Sequence, residues 1–262
     1  MPDTHGDFVW YELMTTNADA AQAFYGPLLG WEFKGSDTPG MDYRLISKDG
    51  VEIAGLLQLT QEMTDGGARP IWVGYISVEE IEAGVAKLKE LGGTVLMGPN
   101  HLDGVGHMAF VSDPQGVPFY LMQPEGPEGQ ESQSFAKHAP REGHCAWNEL
   151  VTTDPAAAKQ FYTSLFGWEK SDEMDMGPMG LYEMYSVNGY TLGAMMAKPE
   201  MMPASAWIYY LRVPDIEAAA AFVRENGGQV MTDPMEIPGG DYILNGLDPQ
   251  GAFFALIGTK GS

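Results

Sequence analysis

Val9-Trp10-Tyr11-Glu12-Leu13, with Phe24-Tyr25 and Gly30-Trp31 behind it, decides the fold because it comes back. Ala146-Trp147-Asn148-Glu149-Leu150, Phe161-Tyr162 and Gly167-Trp168 repeat it at one offset, from Trp10 to Trp147 and from Tyr25 to Tyr162. A second block, Trp72, Gly92-Gly93, Pro99 and Asp113-Pro114-Gln115-Gly116, returns as Trp207, Gly227-Gly228, Pro234 and Asp248-Pro249-Gln250-Gly251. Two ordered sets at nearly constant spacing mark a tandem duplication.

Working outward, residues 8–15 alternate, with Val9, Tyr11 and Leu13 on one side and Trp10, Glu12 and Met14 on the other, as a strand does. Asn17 offers a helix N-cap, Ala20, Ala21, Phe24 and Leu28 share a helical face, and Gly30 ends the helix. Asp154-Pro155 and Gly167 make the equivalent start and stop in the second copy. Strand-like runs follow near 31–34, 43–47 and 52–59. The order then restarts, with a strand at 71–78, a helix over 79–91 ending at Gly92-Gly93, and three strands near 94–97, 107–112 and 117–122. Each half is therefore two strand-helix-three-strand modules, and the chain holds four. The expected class is α+β, with domains at 1–123 and 144–262 and a Pro-, Glu- and Gly-rich linker over 124–143.

Composition bounds function. Fourteen basic against 36 acidic residues give a formal charge of −22, which makes nucleic acid and anionic membrane poor partners. The one cysteine, Cys145, rules out a disulfide within the chain, and residues 1–7 carry no basic leader followed by an apolar run. No window approaches the roughly 18 apolar residues of a spanning helix. The expectation is a soluble cytoplasmic protein, a monomer or homodimer. There is no Gly-x-Ser-x-Gly elbow, phosphate loop or dinucleotide fingerprint, and the Gly-Gly pairs follow helices rather than precede them.

The Phe-Tyr then Gly-Trp helix end, the module closing in Gly-Gly, and Asp-Pro-Gln-Gly before an apolar last strand, all in duplicate, resemble the vicinal oxygen chelate superfamily of glyoxalases, bleomycin-resistance proteins and extradiol dioxygenases. The resemblance covers nearly the whole chain and is nearest to tandem-domain bacterial glyoxalase-like members. It implies two glyoxalase-like domains whose curved mixed sheets form cups around a small-molecule cavity. It also implies a divalent metal held by His, Gln or Glu at four points of a cup. Carried over, those points are Trp10, Gly55, Val73 and Tyr120 in the first half and Trp147, Gly193, Ile208 and Ala255 in the second. None offers an imidazole, carboxylate or thiolate, so the resemblance leads to an expectation of no metal and no other cofactor.

Candidate site residues follow from the same positions. Trp10 and Trp147 are flat apolar walls for a planar ligand, or fillers of collapsed cups. Glu12 and Glu149, two residues on and on the same side, are candidate general bases with pKa values raised by burial, or satisfied structural carboxylates. Arg212 shares strand parity with Ile208 and Tyr210 and is the expected partner of Glu149. Tyr120 against Ala255 predicts a roomier second cup. His107 is a candidate ligand contact or a surface histidine. His144 and Cys145, adjacent in a strand, point to opposite faces and make no catalytic pair. Seventeen methionines, among them Met195, Met196, Met201 and Met202, suit an adaptable apolar site or ordinary core, and 174–184 reads as a lid. These features predict a metal-independent protein that binds a small apolar or aromatic molecule by sequestration. The alternatives are a lyase, isomerase or hydroxylase using Glu149 or Glu12 as base, with or without metal, and an interaction protein with filled cups.

Overall fold

The computed structural model describes residues 4–36, 40–125, 131–200 and 202–261; Met201 and positions 126–130 of the expected linker lie outside them. The first module is β1 (Phe8–Thr15), α1 (Ala18–Leu29), β2 (Glu32–Gly35), β3 (Tyr43–Lys48) and β4 (Val51–Gln58). A short helix, α2 (Gln61–Asp65), leads to β5 (Ile71–Ser77), α3 (Ile81–Glu90), β6 (Thr94–Leu102), β7 (Gly106–Ser112) and β8 (Pro118–Pro124). The third module is β9 (Cys145–Thr152), α4 (Pro155–Phe166), β10 (Glu169–Asp175), β11 (Leu181–Val187) and β12 (Tyr190–Ala197). The fourth is β13 (Ala206–Val213), α5 (Ile216–Glu225), β14 (Gln229–Val230), β15 (Met235–Glu236), β16 (Tyr242–Leu247) and β17 (Phe253–Gly258).

These strands form two sheets, of eight and nine strands, in an α+β fold of four βαβββ modules. In every module the helix carries the chain back so that the first strand lies parallel to the last, while the later strands pair antiparallel, in the fourth module with both β14 and β15 on β16. The helix signals act as expected. Asn17 and Asp154 each accept a backbone N–H at 3.0 Å, from Ala20 and Ala157, and Gly30 and Gly167 close their helices in the left-handed region at φ 65° and 69°. Helix α3 has no side-chain cap of its own; Gln123 Oε1 on β8 accepts the Ile81 N–H at 2.9 Å instead. Helix α2 was not expected from the sequence, and the strand expected near 94–97 is longer than that. The strand runs on to Leu102 with its register shifted between Met97 and Asn100, a tolerable place for proline because β6 is last in its sheet order.

The compact units do not follow the two halves of the sequence. One unit gathers Met1–Val9, Val73–Ser132 and Asn148–Trp207; the other gathers Trp10–Trp72, Gln133–Trp147 and Ile208–Ser262. In the second unit, the Trp72 indole donates to the Tyr25 hydroxyl at 3.2 Å, and that hydroxyl donates to Asp248 Oδ2 at 3.1 Å. Asp248 Oδ1 accepts the N–H groups of Gln250 and Ala252, both at 2.9 Å, which shapes the Asp-Pro-Gln-Gly turn. The first unit has the same chain, from Trp207 to Tyr162 at 3.0 Å to Asp113 Oδ2 at 3.1 Å, with Asp113 Oδ1 on the N–H groups of Gln115 and Val117. A second pair of anchors joins Trp31 Nε1 to the Gly143 carbonyl at 2.7 Å and Trp168 Nε1 to the Gly6 carbonyl at 2.9 Å. The residues that marked the duplication are thus the ones that tie one half to the other within each unit.

Aromatic packing surrounds these links. Phe24 meets Phe222 and Phe254 with centroids 5.9 Å apart in the second unit, and Phe119 meets Tyr162 at 5.7 Å in the first. Tyr25 and Tyr162 are fully buried. Burying a ring of this size contributes about 2 to 3 kcal/mol, and the hydroxyl finds both a donor and an acceptor, so the polar tip costs little.

Candidate functional site

Strand alternation sorts the sequence-predicted residues onto four inner faces, one per module. On the first, in the second unit, Glu12 stands opposite Gly55 and is 3 % exposed. Trp10 is half-buried and its indole N–H donates to the Tyr43 hydroxyl at 3.2 Å. That hydroxyl occupies the place of a Gly55 Cβ, which would overlap it and come within 3.2 Å of Trp10 Nε1. A Trp-Tyr pair therefore fills two of the four positions at which the resemblance implies ligands.

The second face, in the first unit, is filled as well. Tyr120 stacks on its register partner Tyr75, centroids 4.1 Å apart and rings 9° from parallel, and meets Phe110 at 4.8 Å on its other side. Val73 is fully buried. His107 is not part of this face. Alternation along β7 turns it to the opposite side from Met108 and Phe110, where it lies beside His101, centroids 4.4 Å apart, and 3.6 Å from Glu125.

On the third face, also in the first unit, Glu149 is 8 % exposed and its Oε2 accepts from the Tyr182 hydroxyl at 2.8 Å. The register corrects one carry-over: Ala194, not Gly193, stands opposite Glu149 as the counterpart of Gly55. Gly193 stands opposite Asn148, on the other side of the sheet, where a Cβ would overlap the Asn148 carbonyl. The β10-β11 hairpin is longer than its β2-β3 counterpart, with longer strands and a register shift between Lys170 and Asp172, and this lengthens the offset between copies, which spacing alone did not reveal.

The fourth face, in the second unit, is different. Tyr210 stands opposite Ala255, Ala255 opposite Asn245, and Arg212 opposite Ile257. Where the second module sets Tyr120 against Phe110, the fourth places a methyl group and an amide. Asn245 Oδ1 is buried and has no partner among the described residues. Arg212 makes a two-pronged pair with Asp241, at 2.8 and 3.0 Å, its side chain only 15 % exposed. A groove of about 250 Å³ lies between Arg212, Asp241 and Ile257 at the rim of this face and the segment 136–140, with Ala146 beside it; Tyr210, Ala255 and Asn245 do not line it. Trp147 belongs to the same unit, is half-buried, and accepts the Cys145 thiol on its carbonyl at 3.4 Å. Burial pushes that thiol up to about 12, so it is a packing group and not a nucleophile.

Arg212 and Glu149 were expected to pair. What the structure gives each is a partner in its own unit, Asp241 for Arg212 and Tyr182 for Glu149. Tyr210, Arg212 and Ala255 do share one face. Asn245 and Asp241 were missed, although Asn245 sits one repeat offset beyond Phe110 and comparison of the copies exposes it. Tyr43, Tyr75 and Tyr182 reach their sites through cross-strand register, for which the sequence carries no direct signal.

A divalent ion at the positions implied by the resemblance is not matched by these side chains. An indole, a bare Cα under a phenol, a buried valine and a stacked tyrosine offer it no anionic or imidazole donor in the first half, and Ala194, Ile208 and Ala255 offer none in the second. No chemical step is derived through a metal there.

Comparison with known proteins agrees with the architecture. The family model of the Glyoxalase/Bleomycin resistance protein/Dioxygenase superfamily matches residues 7–121 and 142–256. CFP32 of Mycobacterium tuberculosis, which bears a provisional glyoxylase name, is 31% identical over 250 residues, covering 95% of this chain and 93% of its own. The anthracycline biosynthesis protein DnrV of Streptomyces peucetius is 27% identical over 261 residues, covering 95% and 91%. Among solved structures, the 2,3-dioxygenase LapB of Pseudomonas sp. KL28 superposes with a TM-score of 0.66 at 14% identity, over 98% of this chain and 94% of its own. The Mn(II)-bound glyoxalase of Novosphingobium aromaticivorans does so with 0.64 at 16%, over 98% and 83%. With two matched segments that together span most of its length, each made of the same duplicated modules, this chain belongs to the Glyoxalase/Bleomycin resistance protein/Dioxygenase superfamily.

Proposed function

We propose that the chain is a glyoxalase-like protein that binds a small planar, apolar or aromatic molecule on the fourth-module face, with no divalent ion at the superfamily's ligand positions. The observation that carries this reading is the replacement of Tyr120 and Phe110 by Ala255 and Asn245 in the equivalent places. The second-module face is occupied by its own stacked rings. The fourth offers a tyrosine wall, a small-residue floor, an amide acceptor and an arginine-carboxylate pair at the rim, a few polar groups in an apolar setting that suit a ring system with one or two polar substituents. The relative named for anthracycline biosynthesis supports a fused-ring ligand class. The chemistry is sequestration, with Arg212 and Asn245 orienting the ligand.

The test is a thermal-shift and tryptophan-fluorescence panel of planar quinones, flavonoids and aromatic aldehydes, with and without chelator. A ligand held at a hundred times its dissociation constant adds about 2.7 kcal/mol. Ala255→Phe, which rebuilds the stack seen in the second module, is expected to abolish that gain. Unchanged binding by that variant, or binding lost on chelation, would overturn the reading.

Glu149 favours a second reading. A nearly buried carboxylate hydrogen-bonded to a tyrosine hydroxyl at 2.8 Å is equipped to take a proton from a bound substrate, as an enzyme of the lyase, isomerase or hydroxylase type requires. If turnover of any panel compound is seen and Glu149→Gln removes it while binding persists, the enzyme reading replaces sequestration.

A further inference from the structure

The first unit carries a second constellation, on the outer side of its β6-β7-β8 hairpins, that the ligand-binding reading does not use. His101 on β6 and His107 on β7 are direct register partners, and Gln123 on β8 is the next partner of His107. Glu125 lies two residues beyond Gln123, hence on the same side, and its backbone N–H is held on the Val105 carbonyl at 2.9 Å. His101 Nε2 stands 3.0 Å from Glu125 Oε1 and 3.1 Å from Oε2, His107 Nε2 stands 3.6 Å from Oε1, and the three donor atoms all lie within 4.8 Å of one another.

We propose that His101, His107 and Glu125 form a binding site for a divalent transition-metal ion of the zinc, nickel or copper class. A tetrahedral zinc with bonds of about 2.0 to 2.1 Å requires donor atoms about 3.4 Å apart, and these separations bracket that value. Two imidazoles and one carboxylate leave a fourth position for water, and the mixed nitrogen-oxygen set discriminates against magnesium and calcium. His101 turns Nε2 toward the cluster while its Nδ1 faces Asp103 Oδ1 at 3.4 Å, the arrangement in which a carboxylate orients a ligating histidine.

The duplication supplies an internal comparison. The positions one repeat offset beyond His101, His107 and Glu125 are Glu236, Tyr242 and Lys260. There the Tyr242 hydroxyl donates to Glu236 Oε2 at 3.2 Å, and the Lys260 ammonium lies 5.5 Å from the Tyr242 ring centroid. The backbone of both copies therefore brings these three positions together, and one copy fills them with metal-binding side chains while the other fills them with a lysine that supplies its own cation.

Calorimetric titration of the chelator-treated full chain with Zn2+ tests the site. One equivalent is expected to bind, with at least a tenfold loss of affinity in H101A/H107A and in E125Q, and roughly a tenfold loss in D103N. Co2+ should give the visible bands of a four-coordinate ion in the parent chain and lose them in H107Q. All of these side chains are at least one-third exposed, so circular dichroism should show an unchanged fold. E236A/Y242A should bind Zn2+ as the parent does. No stoichiometric binding, full affinity in H101A/H107A, or an equal loss in E236A/Y242A would overturn the proposal, and none of these results bears on ligand binding at the fourth-module face.

Discussion

Gly55 shows how a single residue records what a site has become. Its missing Cβ is the space that the Tyr43 hydroxyl takes, in reach of the Trp10 indole. Gly55→Ala is expected to cost about 1 to 3 kcal/mol by overpacking, and Gly55→Ala with Tyr43→Leu to recover most of it; urea melts of the single and double variants measure the coupling. His144 makes a different point. It is 1 % exposed, its Nδ1 lies 2.6 Å from the Gln133 carbonyl, and Nε2 has no partner among the described residues. Burial holds its pKa below the ordinary value, so the imidazole is neutral in the fold and donates through Nδ1. The unfolded chain then binds the extra proton first. The stability in question is present above about pH 6.5 and is lost as pH falls from there toward the folded pKa. Melting temperatures measured between pH 7.5 and 5 should fall in the parent and fall less in His144→Gln. An equal slope in both would show that other groups carry the acid sensitivity.

At the scale of elements, the Asp-Pro-Gln-Gly turns are held less by their glycines than by their aspartates. Asp113 and Asp248 each accept two backbone N–H groups and one tyrosine hydroxyl while nearly buried, and burial raises both carboxyls above the ordinary range. Asp113→Ala or Asp248→Ala strands all three donors and is expected to cost about 2 to 4 kcal/mol, whereas Tyr162→Phe or Tyr25→Phe should cost about 1 to 2. Asp113→Asn keeps an acceptor for the turn and should be milder than Asp113→Ala, which chemical denaturation can resolve. Helix starts and stops were legible in the sequence because Asn17, Asp154, Gly30 and Gly167 act on their own backbone neighbours. The length of β6 was not, because what lets a strand continue through Gly98-Pro99 is its place at the end of the sheet order.

Across the whole molecule, each compact unit draws one module from each half of the sequence. An isolated 1–131 fragment holds Tyr25 and Trp72 without Asp248, and Asp113 without Tyr162 and Trp207. Neither it nor the 132–262 fragment is expected to give a cooperative thermal transition as a monomer, while the two expressed together should restore one. A stable monomeric fragment, seen by calorimetry and light scattering, would refute this. No helix among the described residues is long and apolar enough to cross a membrane.

The sequence alone determined the four βαβββ modules, the helix caps, the duplication, and the absence of superfamily ligands at Trp10, Trp147 and their equivalents. These are properties of local backbone chemistry and of one copy set beside the other. It also placed Tyr120 and Ala255 at equivalent points of the two copies. Only the tertiary structure decided that Tyr43 closes over Gly55, that Tyr182 holds Glu149, that Asp241 takes Arg212, and that His107 turns away from Tyr120 to join His101 and Glu125. The physical reason is register. A strand slipped by one residue exchanges its two faces, and contacts between strands depend on a pairing that residues near in sequence do not encode.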